Sequence, residues 1–338
     1  MIRAEPVRSL PGVPHRVVHG PQPLQWGLAV DSAPASLDVY DLGTGERVRS
    51  FPRPVPLGPK EGPQEAIAPD LSYAVLIDAE AVRAVEPGGR VRWSLPVGRL
   101  HGDIAGCAAA HATADGAVVW AQIGEDGDAP ADEHGWRPDR TVALAADDGR
   151  LLAQAVYYSN QFPLLFPHPD GVHMLFDQSE WCGALRVGPD GAAEITDLSG
   201  GTMLHIAAPA PDGSLLMFLE AMWTLERRSL PDLRRLALMD DDVLGGGSLA
   251  GPPGFLDADR VLAAVDEPDV LTAGENGAPF QHLLLNAADL SRIGPIAYPD
   301  GTPGEPAVWT KPLGDGTWLT SPDDEDLPVR RWRLAPRR

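Results

Sequence analysis

Four side chains in this sequence are of the types that perform acid–base chemistry or bind a divalent cation. They are His101, Asp103, His205 and Glu305, and each lies close to the start of a short apolar segment. Histidine and carboxylate groups that face one another can exchange protons with a substrate, and carboxylates can ligate Ca²⁺. We therefore take these four residues as the first candidates for a catalytic site. The alternative is chance placement, since the chain has nine histidines.

Motifs that would identify a reaction are absent from the sequence. It has no His-Glu-x-x-His, no glycine-rich loop followed by lysine, no cysteine pair at zinc spacing and no Gly-x-Ser-x-Gly. The acidic segment Gly124–Asp128 lacks the length and the terminal glutamate of a calcium-binding loop. The sequence thus predicts no cofactor and no metal ligands, keeps Ca²⁺ as the cation to test, and leaves open whether the protein is an enzyme.

Aromatic and acidic side chains form a second set, between the apolar segments. Tryptophan occurs near carboxylates at Trp136, Trp181 and Trp223. Aromatic rings and carboxylates attract cations, and tryptophan is a frequent anchor residue at interfaces. The alternative is that each ring packs between neighbouring structural units. The candidate ligand-binding residues are Trp136, Asp177, Glu180, Trp181, Glu220, Trp223, Asn160 and Gln161.

Two kinds of tight turn alternate along the chain and must position these residues. The first is Pro-Asp-Gly or a variant of it, as at Asp170 and Asp212. The second places glycine beside a polar residue, as at Gly45 and Gly149, between two strand-like segments. Two-residue hairpin turns require positive φ, which Gly, Asn and Asp tolerate. One repeat therefore reads as four short antiparallel strands, A to D, over about 40–45 residues, which is the period of a propeller blade.

Six complete repeats and a partial one account for the whole chain as a single domain. The partial repeat supplies three strands at the C-terminus, and the N-terminal segment Glu5–Pro11 is similar to the D strand Glu46–Pro52. We expect the N-terminal strand to complete the last repeat, which closes a ring and removes two exposed sheet edges. The sequence predicts an all-β, seven-bladed β-propeller with four antiparallel strands per blade. The blades fall at about residues 12–53, 62–97, 104–158, 161–198, 203–239, 248–299 and 305–335, the last completed by 2–11.

This pattern resembles the WD40-like and YVTN-like propeller families. The resemblance covers essentially the whole chain and rests on the Pro-Asp-Gly turns and the segment Asp38–Glu46. The Gly-His and Trp-Asp pairs of WD40 blades are absent, so the resemblance concerns architecture only. It implies that the A strands line a central channel and that the B–C and D–A loops share one face, which we name the top face. Two β-sandwich domains are the alternative, but they leave the similarity of the chain ends unexplained.

The predicted top face collects long loops and acidic residues. The B–C loops of the third and sixth blades are longer than the others, and most B–C loops carry Asp or Glu. The C–D turns at the opposite end carry arginines such as Arg47 and Arg90. Long loops in a compact domain are usually functional, so we expect the binding site on the top face.

The charge balance limits the classes of partner. The chain has 27 basic and 48 acidic side chains, for a net charge of −21. Such a surface repels nucleic acids and anionic lipids and attracts basic partners, although solubility alone would also explain it. No apolar run in Met1–Pro14 has the length of a signal peptide, and no run elsewhere in the sequence has the length of a membrane span. We expect a cytoplasmic monomer that binds neither nucleic acid nor membrane.

Two functional hypotheses follow. In the first, the protein is a non-enzymatic propeller that presents an acidic, tryptophan-containing top face to a basic protein or peptide or to a cationic small molecule. In the second, it is a lactonase- or lyase-like propeller enzyme, with or without a divalent metal, whose site lies at the mouth of the central channel. Propeller enzymes of these types use rings of histidine and carboxylate side chains there.

Overall fold

The computed structural model describes residues 2–10, 26–29, 35–54, 65–78, 81–97, 99–100, 104–105, 107–124, 137–159, 164–178, 181–200, 203–219, 224–240, 242–266, 280–299, 309–321 and 328–336. Within these ranges the regular elements are all β-strands. None of these ranges contains a helix with the length and apolar character needed to cross a membrane.

Most strands form antiparallel sheets in which each strand pairs with the next along the chain. The first sheet contains three described strands, β2 (Trp26–Ala29), β3 (Ser36–Asp41) and β4 (Arg47–Pro52). The second consists of β5 (Ala66–Ile67), β6 (Ala74–Ile77), β7 (Ala81–Val85) and β8 (Val91–Pro96). A short hairpin, β9 (Arg99–Leu100) and β10 (Ile104–Ala105), precedes the third sheet. The third consists of β11 (Cys107–Ala112), β12 (Val118–Gly124), β13 (Arg137–Ala145) and β14 (Leu151–Ser159).

The next two sheets have the same four-stranded form. The fourth consists of β15 (Leu164–Pro167), β16 (Met174–Asp177), β17 (Cys182–Val187) and β18 (Ala193–Asp197). The fifth consists of β19 (Leu204–Pro209), β20 (Leu215–Leu219), β21 (Leu225–Arg228) and β22 (Arg235–Leu238). We refer to these sheets as blades, numbered in chain order.

The last eight strands and the N-terminal strand form one nine-stranded sheet in two parts. The first part consists of β23 (Ser248–Leu249), β24 (Gly254–Phe255), β25 (Arg260–Asp266), β26 (Phe280–Asn286) and β27 (Arg292–Ala297). The second consists of β28 (Trp309–Pro312), β29 (Thr317–Ser321), β30 (Val329–Leu334) and the N-terminal β1 (Ile2–Leu10).

The N-terminal strand completes the last group, as the sequence predicts. Strand β1 pairs with β30 in antiparallel register from Ala4 opposite Leu334 to Leu10 opposite Val329. Its first residues also pair in parallel with β27, which joins the two parts into one sheet. The outer edge of the last group is thereby paired, and pairing of this kind protects a sheet edge from other chains.

The arrangement is an all-β propeller, which confirms the predicted fold class. The first strands of successive blades contact one another: β11 lies against β5 and β15, and β24 lies against β19 and β28. This places the A strands together at the centre. The number of blades and their boundaries remain predictions.

Aspartate side chains stabilise the repeated turns locally. In the Pro-Asp-Gly class, Oδ1 of Asp70 and Oδ1 of Asp115 each accept the backbone N–H two residues later, at 3.0 Å. Asp148 does the same in a C–D turn, at 2.9 Å. The following glycines, such as Gly116 and Gly149, have φ of 72°. These are the side-chain turns and positive-φ positions that the sequence pattern predicts.

The hydrophobic core lies between neighbouring blades. Successive residues of a strand point to opposite faces of its sheet, so each blade contributes to two clusters. In β16, Leu175 packs with Ile206 and other side chains of blade five. The next residue, Phe176, packs on the other face with Trp120 of blade three. This alternation decides which neighbour each polar residue near the strand ends can reach.

Candidate functional site

Two of the predicted site residues meet at the junction of blades four and five. Asp177 is the last residue of β16, and His205 is the second residue of β19. Asp177 follows Leu175 by two residues, and therefore faces blade five as Leu175 does. Nδ1 of His205 lies 3.1 Å from Oδ1 and 3.3 Å from Oδ2 of Asp177. Both residues lie at the strand ends that the sequence assigns to the top face.

Asp177 is largely removed from water. Only 7% of the residue is exposed. Burial raises the pKa of Asp177 from 3.8 to about 6, and the charge and hydrogen bond of His205 and the backbone N–H of Ile206 oppose part of that rise. Burial disfavours the charged form of a carboxyl group. Asp177 therefore gains and loses its proton at a higher pH than an exposed aspartate.

The His205 ring is held in one orientation. Phe218 lies opposite His205 across β19 and β20. The two rings stack with centroids 5.3 Å apart and planes 26° apart. Because an ionised carboxylate only accepts hydrogen bonds, the Nδ1–H group of His205 donates to Asp177. Within the described part of the chain no hydrogen bond to Nε2 of His205 is found, and 15% of the side chain is exposed.

Apolar side chains flank this pair at the same strand ends. Leu164 lies opposite Asp177 across β15 and β16, and Leu219 lies opposite Leu204, the residue before His205. Leu164, Leu219 and Met203 are all exposed, Met203 by 52%. Exposed apolar groups beside a buried polar pair are typical of ligand sites.

Cys182 lies opposite Asp177 on the other neighbouring strand, β17. It is a free and buried thiol. Burial raises the pKa of Cys182 far above its usual range, and the charges of Asp177 and Asp197 raise it further. The thiolate is the nucleophilic form of cysteine, so this thiol is unsuited to nucleophilic chemistry.

Trp181 lies on the opposite face of blade four from Asp177. Its ring meets Phe176 edge to face, with centroids 4.5 Å apart, and packs half-buried against the cluster between blades three and four. The Trp181 ring therefore packs between neighbouring blades, which is the alternative given above for the three tryptophans. The structure therefore separates Trp181 from the Asp177–His205 pair, although Trp181 follows Asp177 by only four residues in the sequence.

The other candidates lie outside the described residues. They are His101, Asp103, Glu305, Trp136, Glu180, Glu220, Trp223, Asn160 and Gln161. The long B–C loops of blades three and six also lie there. Their assignments remain predictions.

No sequence pattern indicates that Phe218 or the Ile206 N–H group belongs to the site. Phe218 lies in a strand that the sequence predicts, but its position opposite His205 depends on register. A bulge between Ile206 and Ala208 shifts that register by one residue. The sequence predicts the apolar strand that contains Phe218, but it does not predict the register between β19 and β20.

Comparison with known proteins supports the fold. No protein-family model matches the sequence, and no curated protein matches it. Among solved structures, the β-propeller domain of Cps50 (Swd1) from Myceliophteria thermophila is similar, with a TM-score of 0.59 and 9% identity over 98% of this chain and 100% of that one. Dihydro-heme d1 dehydrogenase NirN in complex with DHE is similar with a TM-score of 0.50 and 17% identity, over 98% of this chain and 68% of that one. At these identities the likeness shows the propeller fold alone.

Proposed function

We propose that this propeller is a binding protein that takes a cationic group, carried by a basic peptide or a small molecule, at the Asp177–His205 site. The supporting observation is the hydrogen bond between the buried carboxylate of Asp177 and Nδ1 of His205, at 3.1 Å. When the ring carries no proton on Nε2, this bond leaves Nε2 as an acceptor for the N–H group of an ammonium or guanidinium ion. The negative charge of Asp177 behind the ring favours a cation there.

The surroundings of the pair suit the same ligand. Lysine and arginine side chains combine an aliphatic stem with a charged head. The exposed Leu164, Met203 and Leu219 would contact the stem while His205 accepts a hydrogen bond from the head. The net charge of −21 would attract such a ligand over a longer range.

The test is calorimetric titration of the full chain with a hexa-arginine peptide, and with hexa-glutamate as the opposite-charge probe. We expect hexa-arginine to bind, and Asp177→Asn and His205→Gln each to weaken binding by about tenfold or more. The matched control is Asp242→Asn, which removes one exposed charge from a D–A loop of the top face. Equal affinities for wild type, Asp177→Asn and Asp242→Asn would mean that only the overall charge attracts the peptide.

A second function, acid–base catalysis, is favoured by the orientation of His205. An imidazole whose Nδ1–H group is held by a carboxylate has Nε2 placed to take a proton from a substrate. The similar structures include a dehydrogenase and a propeller domain of Swd1, and a shared fold does not choose between catalysis and binding.

The catalytic alternative is tested with a panel of lactones and esters. If His205 is the base, His205→Gln lowers the rate of any substrate turned over by about a hundredfold or more, while Asp242→Asn leaves it unchanged. Equal rates in His205→Gln and wild type would exclude His205 as the base.

A further inference from the structure

Two histidines and an aspartate converge at the opposite end of blade four, in the turn between β15 and β16. One ligand atom from each of His168, Asp170 and His173 lies within 4.8 Å of the others. The sequence pattern of this segment predicts only a Pro-Asp-Gly turn. We propose that the three side chains form a binding site for a divalent transition-metal ion of the zinc class.

His168 has the orientation of a metal ligand. It is buried, with 4% of the residue exposed, and its Nε2 lies 2.8 Å from the carbonyl oxygen of Gly213 in blade five. A carbonyl oxygen only accepts, so the Nε2–H group of His168 is the donor and Nδ1 is the ring nitrogen that faces Asp170. The backbone N–H of Asp170 also lies 3.3 Å from Nδ1. Histidine ligands of metals commonly donate their other N–H to a carbonyl in this way.

Asp170 presents one oxygen to both rings. Its Oδ1 accepts the backbone N–H groups of Val172 and His173, at 2.9 and 3.0 Å. Its Oδ2 lies 3.0 Å from Nδ1 of His168 and 2.6 Å from Nδ1 of His173. Burial alone would raise the pKa of Asp170, but the hydrogen bonds from His173, Val172 and His168 outweigh it and hold the pKa below its usual range.

Asp170 and His168 are close enough to share one cation. Nδ1 of His168 lies 3.0 Å from Oδ2 of Asp170, so a single positive charge between them, whether a proton or a metal ion, can serve both atoms. A divalent ion would satisfy both atoms and Nδ1 of His173 together. The ligand atoms of a tetrahedral zinc site lie about 3.3 Å apart, so the three side chains would move by less than about 1 Å.

The donor atoms indicate a zinc-class ion, and the adjoining cavity leaves room for its remaining ligands. Two imidazole nitrogens and one carboxylate suit zinc and neighbouring transition metals, whereas Ca²⁺ and Mg²⁺ prefer oxygen ligands only. Asp170 is exposed on one side and borders a cavity of about 550 Å³, lined also by Asp212, Ser214 and Arg234. The remaining coordination positions would open to this cavity, where water or a small ligand can complete them.

The test uses the full chain without an affinity tag, stripped of metal with a chelator and titrated with ZnCl₂ by calorimetry. We expect one equivalent of zinc to bind, with a loss of affinity of about tenfold or more in Asp170→Asn and in His173→Gln. Asparagine at position 170 keeps Oδ1 as an acceptor for the turn, and His173 is partly exposed, so both variants should fold. Circular dichroism checks this, and zinc should raise the unfolding temperature of the wild type but of neither variant.

The matched control is Asp70→Asn in the corresponding turn of blade two. Asp70 also accepts a backbone N–H two residues later, but its turn, Ala68-Pro69-Asp70-Leu71-Ser72-Tyr73, contains no histidine. Zinc affinity should be unchanged in this variant. The proposal is overturned if the wild type takes up no zinc in a saturable way, or if Asp170→Asn and His173→Gln bind zinc with wild-type affinity.

Discussion

Asp177 and His205 are 28 residues apart in sequence and belong to different blades, yet Oδ1 of Asp177 lies 3.1 Å from Nδ1 of His205. The contact is made across the junction of two sheets, and it buries a carboxyl group whose pKa rises to about 6. A carboxyl group in this position lowers the stability of the folded state when it is ionised. Such a cost is common at functional sites, because the arrangement that serves a ligand is not the one that maximises stability.

Replacement of Asp177 by asparagine should stabilise the fold at pH 8. The folded state binds the Asp177 proton more tightly than the unfolded state, so this group contributes stability below about pH 4 that is lost as the pH rises to about 6. Asp177→Asn removes that loss, and we expect a gain of about 1–3 kcal/mol at pH 8. Urea unfolding at pH 5.2 and pH 8 measures this gain in the free energy of unfolding. Both pH values lie above the isoelectric point of about 4.7.

The gain should be smaller at pH 5.2, because Asp177 is then mostly protonated in the folded state. Asp242→Asn, an exposed substitution, serves as the control and should change little at either pH. A variant that is less stable than wild type at pH 8 would show that the ionised carboxylate is stabilised by His205 more than it is penalised by burial.

Truncation of Leu10 should strongly destabilise the protein. Leu10 at the end of β1 is fully buried and packs with Leu42 of the first blade and Leu319 of the last group. Leu10→Ala leaves a cavity between the two ends of the chain, at a cost of about 2–5 kcal/mol. Urea unfolding is the measurement, and Val7→Ala, in the same strand but 44% exposed, is the control. A loss of stability in Leu10→Ala no larger than that in Val7→Ala would mean that β1 contributes through its backbone pairing alone.

An alanine at Gly149 should be far less tolerated than one at Gly89. Both glycines have positive φ, 72° and 82°, so both variants carry the left-handed cost of about 1–2 kcal/mol. A Cβ at Gly149 would also lie 2.7 Å from the ring of Trp93, whereas at Gly89 the nearest atom, of Pro52, is 3.6 Å away. Trp93 cannot withdraw without losing its hydrogen bond to the carbonyl oxygen of Ala146, at 2.9 Å.

We therefore expect Gly149→Ala to cost about 1–3 kcal/mol more than Gly89→Ala, which is the usual range for overpacking. Thermal unfolding of the two variants side by side provides the comparison. Equal unfolding temperatures would imply that the Trp93 ring moves freely.

Removal of Arg53 should destabilise the fold through its partner. The two terminal nitrogens of the Arg53 guanidinium group, Nη1 and Nη2, donate hydrogen bonds to the carboxylate of Glu65, and the two side chains are 3% and 2% exposed. Burial raises the pKa of Glu65 in spite of Arg53. Arg53→Met leaves a buried carboxylate without its partner, at a cost of about 3–5 kcal/mol, and the double variant with Glu65→Met should recover most of it.

Urea unfolding of the single and double variants measures the coupling. Arg47→Met serves as the comparison because Arg47 is 60% exposed in its pair with Asp38, and its loss should have little effect. The idea fails if Arg53→Met is as stable as Arg47→Met. It also fails if the double variant is no more stable than the single one.

Strands and turns were predictable from the sequence because their causes are local. The alternation of apolar residues, the aspartates that bond their own turns and the positive-φ glycines act within a few residues of one another. The sequence predicts three strands in the partial repeat at the C-terminus, and the structure has β28, β29 and β30 there. The place of β1 in the last group was also predictable, because its residues repeat the pattern of other D strands.

The candidate site depended on contacts between blades, which the tertiary structure alone decides. The sequence put His205 among catalytic candidates and Asp177 among ligand-binding ones, and no local pattern joins them. Alternation along β16 turns Asp177 toward blade five and Phe176 toward blade three. Trp181, just before β17, also packs on the blade-three side, so residues close in sequence end on opposite faces.

The same reason applies to Arg53 with Glu65 and to His168 with Gly213. Each of these contacts joins residues of different blades, and its geometry is set by how neighbouring sheets pack. The amino-acid sequence by itself therefore determined the repeat, the strands and the turns. Packing between the blades decided which polar side chains meet, because those distances arise only when the sheets come together.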